Sequence, residues 1–356
     1  MILVENKPLA PLTTLGVGGP ARWFVEATSE EEIAEAAAWA REHGVALFVL
    51  GGGSNLLVSD AGFDGLALRV GLRGIVVEDD SDTPGQRVYR VAAGEDWEHC
   101  VQRSLDDGCA GLECLAGIPG TVGGTPVQNV GAYGQEVASV VERVRAFDLK
   151  EQAFVEFSAA ECGFAYRRSR FNTVDRGRFV VTRVDYRLTP GGAPTVRYAD
   201  LQRALAEEKA DDREVSLAEV AAVVRRIRQS KGMLLAEGDP DCRSAGSFFK
   251  NPVVHEETIR QIAVASGKEP PRFPAGSGAE NEGKVKVPAA WLIEQAGFAK
   301  GYRHGNAGIS SRHTLALINL GGARAAEILA LAGQIADAVE ARFGVRLEME
   351  PVMVGF

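Results

Sequence analysis

Residues 117–134 read GIPGTVGGTPVQNVGAYG, and this stretch decides more about the fold than any other part of the chain. It is dense in glycine and contains no charged side chain. A loop of this length without a helical or strand period is uncommon unless it is functional or disordered. Since disordered segments normally carry charge, we interpret the stretch as a backbone lining that wraps closely around a ligand. A plain structural crossing is the alternative.

A second glycine-rich loop, Gly51–Asn55 (GGGSN), follows the apolar run Ala46–Leu50, which has the pattern of a buried strand. Glycines let backbone N–H groups approach a phosphate that a Cβ would obstruct. The loop is neither a P-loop nor a dinucleotide-binding fingerprint, because the required spacings are missing. A tight turn would explain this loop alone. The two loops together predict one extended diphosphate ligand held between them.

Composition excludes several classes of protein. The chain has 356 residues, which predicts two or three domains, and 46% of them are hydrophobic, which excludes a disordered chain. A net charge of −9 argues against nucleic-acid binding, which depends on basic patches. The five cysteines lack CxxC spacing, so we expect reduced thiols, no disulfide framework and no metal site.

The N-terminal residues and the lengths of the apolar runs bear on the cellular compartment. The first residues, MILVENKPLAPL, lack the basic and apolar regions of a secretory signal. No apolar run approaches the ~18 residues of a membrane helix. We therefore expect a cytoplasmic protein without a membrane partner.

Periodicity and capping signals predict the main elements. Helices are expected over 29–44, 97–108, 216–231, 288–296 and 323–343. Strands are expected over 46–50, 140–149, 153–157, 179–188, 315–320 and 345–354, and loops over 189–195 and 274–284. The first ~70 residues have the pattern of a small α/β unit, and the strands of the middle region are expected to be antiparallel.

A third candidate segment, residues 244–252 (SAGSFFKNP), crowds hydroxyls, a cation and an amide together. A serine nucleophile needs a partnered base, and the five histidines give no obvious triad. The GxSxG pattern is also absent, because Ser247 precedes two phenylalanines. We therefore expect Ser247 to donate a proton or a hydrogen bond rather than to attack.

These motifs match a family when they are taken in order. They are GGGSN (51–55), GIPGTVGG (117–124) with QNVGAYG (128–134), YRRS (166–169), AGSFFKNP (245–252) and LEMEP (347–351). Each string is weak alone, but the ordered set resembles the UDP-N-acetylenolpyruvoylglucosamine reductase family over nearly the whole chain. The segment 232–246 departs from the compact family pattern by its length.

The resemblance implies an α+β fold. It predicts a two-subdomain FAD-binding portion of the PCMH/VAO type (residues 1–73 and 74–211) and a substrate-binding α+β domain (residues 212–356), whose last strand (345–356) returns to the active site. The Tyr198 loop suggests the longer type I form of the family. FAD would be bound non-covalently, NADPH would be the co-substrate, and the protein would be a monomer.

The implied reaction reduces the enolpyruvyl ether of UDP-N-acetylglucosamine to UDP-N-acetylmuramate, in the synthesis of peptidoglycan precursors. A hydride reaches C3 and a proton reaches C2. By the resemblance, Ser247 is the general acid, and Arg167 and Glu350 complete the catalytic set. Arg167 would stabilise the enolate. A bare carboxylate would repel that charge, so we expect burial to raise the pKa of Glu350.

The resemblance also assigns binding residues. The substrate-binding set is Tyr133, Tyr166, Tyr198, Arg228, Lys231 and Asn251. The cofactor-binding set is Gly51, Gly52, Gly53, Ser54, Asn55, Pro119, Gly120, Thr121, Gly123, Gly124, Asn129 and Gly131. Without the resemblance, Arg167 would be interpreted as part of a surface basic cluster, Glu350 as a solvated edge residue and Tyr198 as a packing residue. Arg228 and Lys231 would simply complement a helix dipole.

Two other functions stay open from the sequence. One is a related flavin oxidase of a small alcohol or sugar. Such relatives often link FAD through a histidine in the first FAD-binding unit, and no histidine lies near Gly51–Asn55. The other is a nucleotide-sugar binder without catalytic activity.

Overall fold

The computed structural model describes residues 1–208, 214–275 and 281–356. The α-helices are α1 (Glu30–Glu42), α2 (Trp97–Asp106), α3 (Ala199–Glu208), α4 (Leu217–Ser230), α5 (Glu256–Ser266), α6 (Ala289–Gln295) and α7 (Ala325–Phe343). The strands are β1 (Val4–Pro8), β2 (Pro20–Ala27), β3 (Leu47–Leu50), β4 (Leu56–Val58), β5 (Phe63–Val70), β6 (Ile75–Asp79), β7 (Arg87–Ala92), β8 (Cys109–Ala110), β9 (Gly131–Ala132), β10 (Gln135–Glu136), β11 (Val141–Asp148), β12 (Ala153–Ser158), β13 (Phe179–Pro190), β14 (Val253–His255), β15 (Phe273–Pro274), β16 (Lys284–Lys286), β17 (Arg303–His304), β18 (Ala307–Ile309), β19 (Leu317–Asn319) and β20 (Val352–Val354).

Helix α1 begins where its sequence predicts. The Ser29 hydroxyl accepts a hydrogen bond from the Glu32 amide (3.3 Å), which satisfies one of the unpaired N–H groups of the first turn. The reciprocal bond goes to Thr28, whose amide donates to the Glu32 carboxylate (2.7 Å). Gly44 follows the helix at φ +64°, as expected for a residue that ends one.

The chain divides into two compact units, each assembled from separate segments. The first unit comprises Met1–Lys7, Ala21–Gly53 and Phe63–Ser230, and the second comprises Pro8–Pro20, Ser54–Gly62 and Lys231–Phe356. The predicted domain boundaries after residues 73 and 211 stay a prediction. The two units do not follow these boundaries, because their segments alternate along the chain and α4 belongs to the first unit.

The first unit contains two main sheets. In the order β1-β2-β5-β3, both β2 and β3 run parallel to β5. Helix α1 connects β2 to β3, and its buried residues (Ile33, Ala36, Ala37 and Ala40) belong to the core of the unit. The second sheet has the order β12-β11-β13-β7-β6 and is antiparallel throughout, as predicted for the middle region. Helices α3 and α4 contribute buried Leu201, Leu205, Val220, Val223 and Val224 to the same core.

The second unit is built around α7. Its buried stripe includes Ile328, Leu331, Ile335 and Val339, and it shares a core with the fully buried rings of Phe248 and Phe249. Burying each ring stabilises the fold by about 1.5–3 kcal/mol. Asp60 accepts hydrogen bonds from the first two amides of α7, at 2.8 and 3.0 Å. The strands form the sets β14-β16-β15, β17-β18-β19 and the parallel pair β20-β4.

The structure differs from the sequence-based prediction in three places. Helices α3 and α5 were not predicted, because α5 carries only two buried apolar residues and α3 follows a loop without a capping signal. The predicted strand over 345–354 is regular only in β20, since the preceding residues form an isolated bridge. The predicted loop over 274–284 begins in β15 and ends in β16, and residues 276–280 lie outside the described chain.

Candidate functional site

The two glycine-rich loops touch in the first unit. A Cβ on Gly52 would lie 2.5 Å from the Gly120 Cα, and one on Gly51 would lie 3.0 Å from the Thr121 hydroxyl. The backbones can approach this closely only because Gly52 lacks a side chain. The amides of Gly52, Gly120 and Thr121 donate no hydrogen bond to the described residues. Two loops in contact, both with N–H groups to offer, fit an anionic diphosphate.

Residues 131–136 form a tight hairpin between β9 and β10. Tyr133 and Gly134 occupy its turn at φ +49° and +83°, the backbone of a type I′ turn. A tyrosine at positive φ is strained, and strain of this kind concentrates at functional sites. The turn therefore fixes the direction of the Tyr133 side chain.

Arg167 lies in a second two-residue turn, between the bridge partners Ala165 and Arg168, and has φ +55°. Its guanidinium donates hydrogen bonds to the carbonyl oxygens of Gly131 (2.7 Å) and Asn129 (3.4 Å). The structure thus brings the predicted catalytic cation onto the loop that is predicted to hold the cofactor. Its Cζ lies 5.4 Å from the ring centroid of Tyr166.

Asn129 is 1% exposed and its side chain is used within the protein. Its amide nitrogen donates to the Ala165 carbonyl and to the Glu136 carboxylate, both at 3.0 Å, and its oxygen accepts from the Ala138 amide. These contacts hold the glycine-rich loop to the Arg167 turn. Asn129 therefore shapes the lining, whereas a direct contact with cofactor stays a prediction.

Tyr133, Tyr198 and Arg228 lie together in the first unit. The two tyrosine rings meet edge to face, with centroids 5.6 Å apart. Burial raises the pKa of Tyr133 to about 12, with the nearby Arg228 acting in the opposite direction. Burial also lowers the pKa of Arg228. The structure thus brings together three of the predicted substrate-binding residues.

Arg228 is anchored where the glycine-rich loop begins. Its Nε donates to the Gly117 carbonyl at 2.9 Å, while the Gly117 amide donates to the Glu98 carboxylate. Arg225 binds the other oxygen of Glu98 at 2.6 Å. Glu98 was not singled out from the sequence. Glu98 lies on the polar face of a predicted helix, where a glutamate is ordinary. Its partners, Gly117 and Arg225, are distant in sequence, so the sequence did not indicate these contacts.

In the second unit, Ser247 and Glu350 lie on neighbouring, antiparallel segments. Phe249 and Met349 form a bridge, the Glu350 amide donates to the Phe248 carbonyl (2.9 Å), and the Lys250 amide donates to the Glu348 carbonyl (2.9 Å). Both Ser247 and Glu350 are half-buried. Pairing of these segments brings together two of the three predicted catalytic residues.

The same two segments are joined to further backbone. The Asn55 side chain donates to the Glu350 carbonyl (3.4 Å), and the Val352 amide donates to the Asn55 carbonyl (2.9 Å). The end of the first glycine-rich loop is thereby fixed beside Glu350. Asn251, a predicted substrate contact, accepts a hydrogen bond from the Ala289 amide (2.9 Å) and so supports the start of α6.

His313 supports the Ser247 segment from the other side. The Phe248 amide donates to the Leu315 carbonyl (2.8 Å), and the Leu315 amide donates to Nδ1 of His313 (3.1 Å). Burial lowers the pKa of His313 to about 4, and the positive charges of Lys231 and Lys300 add to the effect. The imidazole is therefore neutral at pH 7, with the proton on Nε2.

The described residues contain no cluster of histidine, cysteine and carboxylate side chains that could hold a metal ion. All five cysteines are free and buried. Among the helices described, none is long and apolar enough to span a membrane.

Two family models match the chain. One, described as a FAD binding domain, matches residues 21–153, and the other, described as the C-terminal domain of UDP-N-acetylenolpyruvoylglucosamine reductase, matches residues 239–354. Among similar solved structures is UDP-N-acetylenolpyruvylglucosamine reductase from Thermus caldophilus, with a TM-score of 0.64 and 28% identity, covering 99% of this chain and 98% of that one. These matches confirm the predicted α+β fold with its FAD-binding portion.

Curated relatives span the same length. The UDP-N-acetylenolpyruvoylglucosamine reductase of Streptomyces coelicolor is 44% identical over 360 residues, which cover 99% of this chain and 90% of the relative. The enzyme of the same name from Salinispora arenicola is 46% identical, covering 97% of this chain and 94% of the relative.

Proposed function

Because the chain belongs to the UDP-N-acetylenolpyruvoylglucosamine reductase family, we propose that it reduces the enolpyruvyl ether of UDP-N-acetylglucosamine to UDP-N-acetylmuramate. It is an oxidoreductase that uses FAD and NADPH, and its product is a precursor of peptidoglycan. The observation that carries the proposal is the contact of the two glycine-rich loops at Gly52 and Gly120.

The residues of these loops fit FAD. The backbone amides of Gly52, Gly120 and Thr121 would hold its diphosphate, since they offer N–H groups that the described chain does not use. FAD, when bound, supplies hydride transfer between NADPH and the substrate. We propose that it is held without a covalent link, and that the other predicted cofactor residues line the same loops.

Arg167 stabilises the negative charge that develops on the substrate. Hydride addition to C3 of the enolpyruvyl group leaves an enolate conjugated with the carboxylate. A guanidinium stays charged and matches a carboxylate with two parallel hydrogen bonds. The carbonyl oxygens of Asn129 and Gly131 hold Arg167 in place before substrate binds, so little reorganisation is needed during the reaction.

Ser247 gives its proton to C2 of the substrate, which completes the addition of a hydride and a proton across the double bond. A serine hydroxyl is a weak acid, so it must be positioned beside C2 and its proton must be replaced afterwards. The hydrogen bond from the Phe248 amide to the Leu315 carbonyl and the pairing with residues 348–350 fix the backbone on which Ser247 lies.

Glu350 assists this proton transfer in its protonated form. An ionised carboxylate would repel the enolate, so the role requires a raised pKa. Glu350 is half-buried, and its backbone is fixed by the Phe248 carbonyl and by Asn55.

The remaining side chains bind the UDP-sugar. Tyr198, Tyr133 and Tyr166 offer rings and hydroxyls, and Tyr198 lies next to α3, where a loop could close over the substrate. Arg228 and Lys231 provide positive charge for the diphosphate of the substrate. Asn251 provides a further polar contact. A monomeric state and a cytoplasmic location stay predictions.

Two flavin half-reactions test the function. The purified protein should show a flavin spectrum that survives gel filtration and is lost on denaturation and filtration. NADPH should bleach it under anaerobic conditions, and the enolpyruvyl ether of UDP-N-acetylglucosamine should restore it. Bleaching of the flavin by a small alcohol or sugar, and recovery of the colour with oxygen but not with the UDP-sugar, would instead indicate a flavin oxidase. A colourless protein that binds the UDP-sugar would indicate a simple binder.

A further inference from the structure

Glu113 is a fully buried glutamate whose described partners are all neutral N–H groups. Its exposed fraction is 0%, and it lies in the apolar run that precedes the glycine-rich loop. Burying a carboxylate carries a large desolvation cost unless hydrogen bonds replace the lost water. The hydrogen-bond partners of Glu113 must therefore offset this cost.

One oxygen of this carboxylate joins two distant segments. Oε1 accepts a hydrogen bond from the Thr195 amide (2.7 Å) and a second from the side-chain nitrogen of Gln135 (3.1 Å). The other oxygen accepts from the Gly111 amide (2.8 Å). The three donors come from parts of the chain that are not adjacent in sequence, so Glu113 fixes them relative to one another.

Cys114 reinforces the same junction. Its amide donates to the side-chain oxygen of Gln135 (2.9 Å), and its thiol donates to the Thr195 carbonyl (2.9 Å). Gln135 and Thr195 are thereby each held twice, by two consecutive residues. A double attachment of this kind limits both displacement and rotation of the segments.

Both attached segments lead directly to a tyrosine of the proposed substrate site. Gln135 is the first residue after the Tyr133-Gly134 turn, and Thr195 lies three positions before Tyr198. A Cβ on Gly134 would lie 3.4 Å from the Cβ of Arg197, so the turn also packs against the second segment. The edge-to-face contact of the two rings, with centroids 5.6 Å apart, lies at the end of both connections.

We propose that Glu113 is a positioning residue for substrate binding: its carboxylate sets the relative placement of Tyr133 and Tyr198. This inference rests on the proposed function, in which both tyrosines contact the UDP-sugar. Glu113 itself touches neither substrate nor cofactor. Its effect is exerted on the affinity for the UDP-sugar, and the transfer of hydride from NADPH does not depend on it.

Glu113→Gln tests this role with the full-length holoenzyme. Glutamine keeps the size, but its NH2 group must face a donor on one side, so at least one attachment is lost. We expect the KM for the enolpyruvyl ether of UDP-N-acetylglucosamine to rise about 10-fold. The rate of flavin reduction by NADPH should be unchanged. An unchanged KM in a folded variant would overturn the proposal.

Asp148→Asn is the matched control. Asp148 is also buried, at 2% exposed, and accepts hydrogen bonds from the amides of Lys150 and Glu151, but it is the last residue of β11 and also pairs with Arg178. This variant should lower thermal stability without changing the KM for the UDP-sugar. If both variants raised the KM equally, the effect of Glu113 would be a general loss of stability, and the proposal would fail.

A double variant separates positioning from general structure. If Glu113 acts through Tyr198, then Glu113→Gln should add less than about 2-fold to the KM in a Tyr198→Ala background. Full additivity would contradict the proposal. Should Glu113→Gln fail to fold, Gln135→Met removes both hydrogen bonds of the Gln135 side chain while keeping the carboxylate, and the KM should again rise. An unchanged KM in that variant would also overturn the inference.

The wild-type protein separates a failure of the proposed function from a failure of the role assigned to Glu113. If it does not oxidise reduced flavin with the UDP-sugar, the proposed function fails. If it does, and the KM is the same in Glu113→Gln, only the role of Glu113 fails.

Discussion

The two regions that carry the proposed chemistry are held in place in different ways. In the first unit, the loop 117–134 is shaped by close backbone contacts and by hydrogen bonds to carbonyl oxygens, as at Gly52 and Arg167. In the second unit, Ser247 and Glu350 are placed by the pairing of two segments above buried phenylalanines. An added side chain should therefore destabilise the fold of the first region. Removal of a polar group from the second region should reduce activity but leave its fold intact.

Ser247→Ala should have the largest effect and test the second region. Loss of the proton donor should slow flavin reoxidation by the UDP-sugar about 10³-fold, while flavin reduction by NADPH is unaffected. Rapid-mixing absorbance measurements follow each half-reaction. Ser266→Ala, which removes a half-buried hydroxyl from the end of α5 in the same unit, should change neither rate. Equal loss in both half-reactions would exclude Ser247 as a proton donor.

Gly52→Ala tests the first region. The added Cβ would meet the Gly120 backbone at 2.5 Å, so the loops must separate, at a cost of about 3 kcal/mol of unfolding free energy. Denaturant unfolding of the FAD-free protein measures this loss. Gly124→Ala is the control, because nothing lies within 4 Å of its added Cβ and the stability should hold. Equal stability of the two variants would mean that the loops do not depend on their close contact.

Glu350→Gln should slow the second half-reaction about 10²-fold while FAD stays bound, since the amide cannot supply a proton. The flavin spectrum reports binding and rapid mixing reports the rate. An unaltered turnover would remove Glu350 from the site.

The pH dependence of stability tests the support of the Ser247 segment. The pKa of His313 is about 4 in the folded protein, below the ~6.5 of an unfolded chain, so the unfolded state takes up the proton first. The stabilisation that the neutral His313 imidazole contributes to the folded protein is fully present above pH 6.5 and is lost as the pH falls towards 4. Between pH 7 and pH 5 the wild type should lose about 2 kcal/mol of unfolding free energy that His313→Gln does not lose. Parallel pH profiles in denaturant unfolding would contradict the buried, neutral imidazole.

Tyr198→Phe should have the smallest effect. Loss of one hydroxyl should raise the KM for the UDP-sugar about 5-fold, with little change in flavin reduction. Tyr302→Phe is a fair comparison in steady-state assays, because Tyr302 is 37% exposed and Tyr198 is 39% exposed. An unaltered KM for Tyr198→Phe, or the same increase in both variants, would count against a substrate-contacting loop.

The sequence predicted those elements whose signals are local. Capping residues located α1 and α4, with Ser216 and Glu219 exchanging hydrogen bonds at the start of the latter. Apolar runs located β3 and three strands of the antiparallel sheet, which are β11, β12 and β13. Helix α5 was missed because only Ile259 and Ile262 of its residues are buried, too few to give a clear period.

The candidate site was predictable only as a set of residues. Ordered motifs named Arg167, Ser247 and Glu350, but the arrangement of each depends on contacts between distant segments. The carbonyl oxygens that orient Arg167 and the hydrogen bonds of Glu113 cannot be inferred from a period or a spacing. The signal for Glu113 was a single acid in an apolar run, which gains meaning only when its partners are known.

The parallel pairing of β4 with β20 has a consequence for biosynthesis. Leu56–Val58 emerge from the ribosome first, whereas their partner Val352–Val354 emerges only after residues 59–351 have been made. The β4-β20 pair of the second unit therefore cannot form until late in translation, and β4 has an unpaired edge until then. The first unit, whose sheets close within the first 190 residues, can be finished long before. A nascent chain would thus acquire its cofactor-binding loops before it could assemble the segment that carries Ser247 and Glu350.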